Sequence, residues 1–175
     1  MGMTRYTRVA SLVFTGLFAG FLTGVMVLEL SLRHFNGAVY TQVRQVELDS
    51  LDKLAVATLL PALLTTAFLA YRTFQTNTRW LPLTALALLL FVFGLTLVVN
   101  LPINADQLAW TIQSPPADWS HVRNRWQLAH FARTTAAVLA FGLLSLASSL
   151  PVRWVRDQAA RPATPSGDNR PAIHR

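Results

Sequence analysis

Arg123, Trp126, His130 and Arg133 recur at intervals of three and four. On a helix that spacing puts them on one face. The set combines an imidazole that titrates near neutrality, a flat indole and two guanidiniums. Such an imidazole can serve as general base, a guanidinium can hold a developing oxyanion, and an indole can stack on a planar ligand. Two amides, Asn100 and Asn104, precede the stripe and are expected at the same level. A few convergent polar groups beside aromatic walls make a small-molecule pocket, and Tyr40 and Trp110 are further candidates for its walls.

The elements that must hold these residues are apolar. Of 175 residues, 53% are hydrophobic and only 13% charged, against roughly 25% charged in soluble domains. Four apolar stretches, 9–30, 54–71, 81–99 and 131–150, each approach the roughly 20 residues that cross a bilayer as a helix. This composition excludes a soluble enzyme, a nucleic-acid-binding domain and a disordered chain. The absence of cysteine excludes disulfides, thiolate metal sites, iron–sulfur clusters and covalent haem attachment. The first stretch is longer than a signal-peptide core and has no Ala-x-Ala site after it, so it reads as a retained helix. The expected fold is all-α: an integral membrane four-helix bundle over residues 1–156, with a short extramembrane helical cap from the two outer loops. Residues 157–175, rich in Arg, Pro and Ala with no apolar period, read as a disordered basic tail.

Four spans put both termini on one side. That side carries nine arginines (Arg5, Arg8, Arg72, Arg79, Arg153, Arg156, Arg161, Arg170 and Arg175) against Asp157 and Asp168, while the opposite side is neutral. The positive-inside rule then makes the termini cytoplasmic, in a bacterial inner membrane. The net charge of +7 thus reflects topology and anionic lipid, not nucleic acid.

Gly16, Gly20 and Gly24 form a stripe that lets another backbone approach closely. Its partner is either the last helix, through Ala136, Ala140 and Ser148, or a second copy of the chain. Pro61 is expected to kink the second helix. Residues 38–52 have a helical period and read as a short amphipathic helix or an extension of the second span, with Arg44 and Glu47 three apart as an ion pair that is either solvated or functional. Pro102 is expected to end the third span, and Asn104, three residues before Gln107, to cap a new short helix reaching Trp110. Beyond Ser114-Pro115-Pro116, an uninterrupted helix of about 30 residues, capped by Asp118 or Ser120, rises roughly 45 Å. Its stripe therefore begins above the hydrocarbon.

Arg133 falls inside the last span, where an arginine requires a partner charge or a polar cavity. Glu29, near the end of the first span, is the expected structural partner, with Glu47 second. Glu29, His34, Glu47, His121 and His130 share the outer half, but none forms the paired spacing of a zinc or di-iron motif. No metal site is assigned, and a metal keeps only a minor place.

The run Asn100-x-Pro102-x-Asn104, a tryptophan in the following loop, and Arg123-x-x-Trp126-x-x-x-His130-x-x-Arg133 before a final apolar helix resembles the anthrone-oxygenase-like family of small four-helix membrane proteins. The resemblance implies oxidation of an anthrone to an anthraquinone by molecular oxygen, on a small aromatic or apolar substrate. It implies site roles for Asn100, Asn104, Trp126, His130 and Arg133, with His130 as the base, Arg133 and the asparagines holding the oxyanion, and Trp126 stacking on the substrate. No cofactor motif accompanies it. The competing readings are a non-enzymatic membrane subunit or homo-oligomer packed through the glycine stripe, and a small exporter using Glu29.

The charge asymmetry makes a direct prediction. In a chain without native cysteine, a membrane-impermeant maleimide should label Gln113→Cys in intact cells and leave Gln75→Cys unlabelled until the cells are opened; the reverse pattern inverts the topology.

Overall fold

The computed structural model describes residues 2–151. The expected tail 157–175 lies outside the described residues. Within them the chain is helical nearly throughout: α1 (Gly2–Ser31), a 3-10 turn (Leu32–His34), α2 (Gly37–Thr73), α3 (Trp80–Leu95), a π turn (Thr96–Asn100), α4 (Leu101–Leu108) and α5 (Trp119–Ser149). Four helical stretches are long and apolar enough to cross a membrane: α1 with its 3-10 turn, α2, α3 through α4, and α5. They pack up and down around one core, with α1 between α2 and α5, and α3 between α2 and α5. The start of α1, the loop 74–79 and the end of α5 form one end of the bundle, here the terminal end; the 3-10 turn and the α4–α5 loop form the far end.

The terminal half is closed by Phe18, Leu22, Leu59, Leu69, Leu89 and Leu144 packed on Ala62, Ala85, Ala136, Ala137 and Ala140. Lipid is as apolar as leucine, so burial alone drives no helix association in a bilayer, and close backbone approach at small residues supplies the contact instead. Exposed Val13, Leu17, Leu64, Phe68, Leu90 and Leu139 face outward, as a lipid-contacting surface requires.

Three local expectations take a different form. Residues 38–52 are the first turns of the 37-residue α2, the second of the two alternatives. Its N-terminus is capped by Asn36, whose Oδ1 accepts from the Val39 N–H at 3.1 Å, and the helix continues through Pro61. Pro102 does not end its helix. Its ring conflicts with the carbonyl four residues back, that of Val98, and there the chain widens into the π turn, in which the Leu101 N–H bonds to the Thr96 carbonyl. Asn104 therefore sits inside α4 and caps nothing. Asp118 occupies the position before α5 without a side-chain capping bond.

The glycine stripe divides. A Cβ at Gly16 would lie 3.0 Å from the Phe141 ring of α5, whereas Gly20 and Gly24 face open space. The tighter glycine contact is at the α2 start, where a Cβ on Gly37 would lie 2.9 Å from both the Trp119 indole and the Pro115 ring. Gly37→Ala should accordingly lower stability by about 1–3 kcal/mol through overpacking, read as a lowered melting temperature in detergent. Gly20→Ala should be neutral or stabilising, as a glycine-to-alanine change on an open helix face is.

Candidate functional site

Arg44 is 2% exposed, and its surroundings organise the far half of the bundle. On α2, Arg44, Glu47, Leu48, Leu51, Asp52 and Ala55 follow one another by three or one, which turns a single face inward. The Arg44 Nη1 donates to Glu47 Oε2 at 2.5 Å and stands 3.2 Å from Glu29 Oε1. Its Nε donates to Gln107 Oε1 and its Nη2 to Asn104 Oδ1, each at 3.0 Å. The guanidinium carbon lies 4.2 Å from the Trp126 ring centroid, within cation–π range. One cation thus joins α1, α2, α4 and α5.

The expected Glu29–Arg133 ion pair is not formed. Glu29 turns to Arg44, and its Oε2 and backbone carbonyl each accept from Gln127 Nε2 at 2.9 Å. Arg33 donates to Gln127 Oε1 at 2.7 Å. The physical reason is reach along antiparallel helices: Glu29 stands level with the first turns of α2 and with Gln127, six residues above Arg133 on α5. Arg44 and Glu47 do pair, buried in the bundle and not on a solvated face.

Arg133 has another set of partners. Its Nη1 donates to Thr96 Oγ1 at 3.0 Å, and its Nη2 lies 2.7 Å from His130 Nδ1. His130 Nε2 lies 3.0 Å from the Leu22 carbonyl, which can only accept. The network therefore assigns the hydrogen to Nε2 and leaves Nδ1 as acceptor from Arg133. Both ring nitrogens are occupied, and the ring stacks on Trp126 at 4.7 Å and 10°. Trp126 Nε1 in turn donates to Asn104 Oδ1 at 2.7 Å, and Asn104 Nδ2 reaches Asp52 Oδ1 at 3.4 Å.

A cavity of about 110 Å³ lies against this cluster. Arg44, Glu47, Asp52, Asn104, Trp126, His130 and Arg133 form its polar and aromatic side; Phe21, Leu22, Val25, Leu48, Leu51, Ala55, Val56 and Leu101 form its apolar side, with Thr96 between. Two charged groups on it are incompletely satisfied: Glu47 Oε1 and Arg133 Nε are buried without a hydrogen-bond partner. Buried polar atoms are almost always paired, so each of these two is open to a ligand or a water.

The remaining sequence candidates lie around this centre. Tyr40 is fully buried but off the cavity; its hydroxyl accepts from Gln107 Nε2 at 3.1 Å, and its ring meets Trp119. Trp110 is in the loop after α4, where its carbonyl accepts from Gln45 Nε2. Asn100 is buried and donates to the Trp126 carbonyl at 3.4 Å, behind the lining. Arg123 leaves the stripe and lies over the Trp119 ring. Among the described residues no three His, Asp or Glu side chains gather as a metal-holding group. Sequence reasoning missed Gln107, Gln127, Asp52 and Thr96, and missed the central place of Arg44. A signal for Gln107 existed: Asn100, Asn104 and Gln107 continue at four and three, a helix face visible once the helix is read through Pro102.

The class defined by this fold is an all-α bundle with four candidate membrane spans, and it carries a buried polar cluster against a small cavity between its helices. The sequence model described as anthrone oxygenase matches residues 52–143, from Asp52 on the cavity to α5. That is more than half of the chain, and the protein belongs to the anthrone oxygenase family. No curated protein and no solved structure matches it.

Removing Arg44 leaves two buried carboxyls without their cation. Arg44→Met should cost about 3–5 kcal/mol, far more than the same change at exposed Arg33, in thermal unfolding followed by tryptophan fluorescence. Adding Glu29→Gln and Glu47→Gln to Arg44→Met should recover much of the loss; no recovery would assign the effect to shape instead of charge.

Proposed function

We infer that this protein oxidises a small flat aromatic substrate of the anthrone type with dioxygen, in the cavity between its helices. The observation that carries the reading is the pair of unsatisfied groups on one cavity, Glu47 Oε1 and Arg133 Nε. An anthrone presents the complementary pair: an acidic methylene on one edge and a carbonyl oxygen on the other.

His130 has no free lone pair for the role of base, since Nδ1 already accepts from Arg133. The base in our proposal is Glu47, and His130 is a positioning residue that holds the Arg133 guanidinium. Glu47 takes one proton from the methylene carbon, and the electron pair delocalises onto the carbonyl oxygen, which Arg133 holds as an oxyanion. Dioxygen accepts that pair in two one-electron steps and bonds to the carbon. The proton on Glu47 passes to the outer peroxide oxygen. Loss of the second methylene hydrogen as a proton then breaks the O–O bond, giving the quinone carbonyl and water. Trp126 supplies an aromatic wall, and Asn104 holds both Trp126 and Arg44 in place. We also propose that both termini are cytoplasmic and that the far end, with the start of α2 and α4, stands as a helical cap at the outer membrane surface.

Oxygen uptake by purified protein with emodin anthrone tests the reading. Wild type should exceed the spontaneous rate, Glu47→Gln should lose about 10²-fold or more of the enzymatic rate, and His130→Phe should lose less. Wild-type uptake at the spontaneous rate sinks the activity, and full activity in a folded Glu47→Gln sinks the assignment of the base. One observation favours a second reading, in which the protein is a membrane subunit: Gly20 and Gly24 are open on α1 and available to a second copy or another protein. Leucine at both positions should then break a complex seen by size exclusion while leaving oxygen uptake unchanged.

A further inference from the structure

The cavity is too small for the ligand that its polar groups suit. About 110 Å³ is less than the roughly 150 Å³ void that accepts one benzene ring, so a ligand of two or three fused rings must extend out of it. The exposure of the lining shows in which direction. Among the described residues that line the cavity, only Val56 and Leu101 are exposed, at 56% and 43%. Both are apolar, and the charged lining side chains are buried or half-buried.

The two line the one cavity from different helices, Val56 from α2 and Leu101 from α4. Val56 is one helical turn beyond Asp52 on α2, and Leu101 is one turn before Asn104 on α4. The Asn104–Asp52 hydrogen bond ties the two helices at that level. Since α2 and α4 run in opposite directions, each step leads the same way, roughly 5 Å toward the middle of the bundle. Val56 and Leu101 therefore stand at one depth, within segments apolar enough to span a membrane. An exposed aliphatic side chain there faces acyl chains. The polar end of the cavity, at Arg44, lies toward the far end of the bundle.

We propose that the cavity is entered sideways from the bilayer through the α2–α4 seam between Val56 and Leu101, so that the substrate reaches it from the lipid and not from water. The inference rests on the reading of the cavity as a substrate site. The ring that carries the methylene and the carbonyl lies between Glu47 and Arg133, and the flanking rings extend along the seam between the two helices or among the lipid chains. Val56 and Leu101 set how wide an aromatic can pass; they are specificity residues without a part in the chemistry.

The probe is 1,8-dihydroxyanthraquinone, which needs no turnover. It is achiral, so circular dichroism in its visible band above that of protein-free vesicles reports quinone held by the protein. The protein is placed in phosphatidylcholine vesicles and titrated. Half-saturation should follow the mole fraction of quinone in the lipid and not its total concentration. Val56→Trp and Leu101→Trp should each raise that mole fraction about tenfold or more. Val46→Trp, exposed on α2 but off the cavity, should change it less than twofold, and Leu101→Ala should bind as well as wild type or better. The opposite signs expected of Leu101→Trp and Leu101→Ala guard against a folding defect. Plugged variants that bind like wild type, binding that tracks total concentration, or a wild type without induced dichroism each overturn lateral entry. Oxygen uptake with emodin anthrone on the same vesicles separates the two ideas: seam-dependent binding without uptake removes the oxygenase chemistry and leaves the entry route, and uptake unaffected by the plugs does the reverse.

Discussion

A single guanidinium, that of Arg44, answers two carboxyls carried on two helices, and the rest of the polar half takes its arrangement from it. Glu29 and Glu47 approach from α1 and α2, Asn104 and Gln107 from α4, and Trp126 from α5. A buried ion pair is a poor source of stability beside well-packed apolar groups. What this one confers is position, because separating its members in hydrocarbon is costly and they can be satisfied together in only one register. Helices inserted independently thus acquire a single way to meet.

The two halves of the bundle follow different packing rules. In the terminal half, alanines at the contacts let the backbones close and leave a core that is apolar among the described residues. In the far half, long polar side chains keep the helices apart and satisfy one another in a chain from Arg33 through Gln127, Glu29 and Arg44 to Asn104 and Trp126. A network of that kind cannot fill space as methyl groups do, and the cavity lies along its boundary with the apolar side chains. His130 belongs to this boundary. It is fixed by the Leu22 carbonyl, stacked on Trp126, and meets Arg133 through its other ring nitrogen.

The helices and the inward stripe were legible because both are periodic: four apolar runs near bilayer length, and Trp126, His130 and Arg133 at helical spacing. The pairing of charges was legible along one helix, in Arg44 with Glu47, but not between helices. Glu29 and Arg133 were recognisable as groups needing partners, but the choice of partner depends on the relative height of antiparallel helices, which loop lengths do not determine. Pro102 misled for a local reason. A proline ordinarily closes a helix, and only the widened turn before it permits continuation. Reading a break there hid the face shared by Asn100, Asn104 and Gln107, and with it the partners of Arg44. Tyr40 and Trp110 were chosen for their aromatic rings; Tyr40 meets Trp119 with its ring and Gln107 with its hydroxyl, and Trp110 accepts from Gln45 through its backbone carbonyl.

The π turn at Thr96–Asn100 holds one residue more than an α-helical turn would need to cover the same rise, and that extra residue advances the angular phase of all that follows by about 100°. The side chains of α4 are therefore aimed independently of α3, although the two form one continuous span. Gaining or losing a single residue in that turn works like an indexing joint. It would swing Asn104 and Gln107 to a new bearing while the apolar face of α3 stays seated, so one site can be re-lined by a change in chain length with none in its own residues.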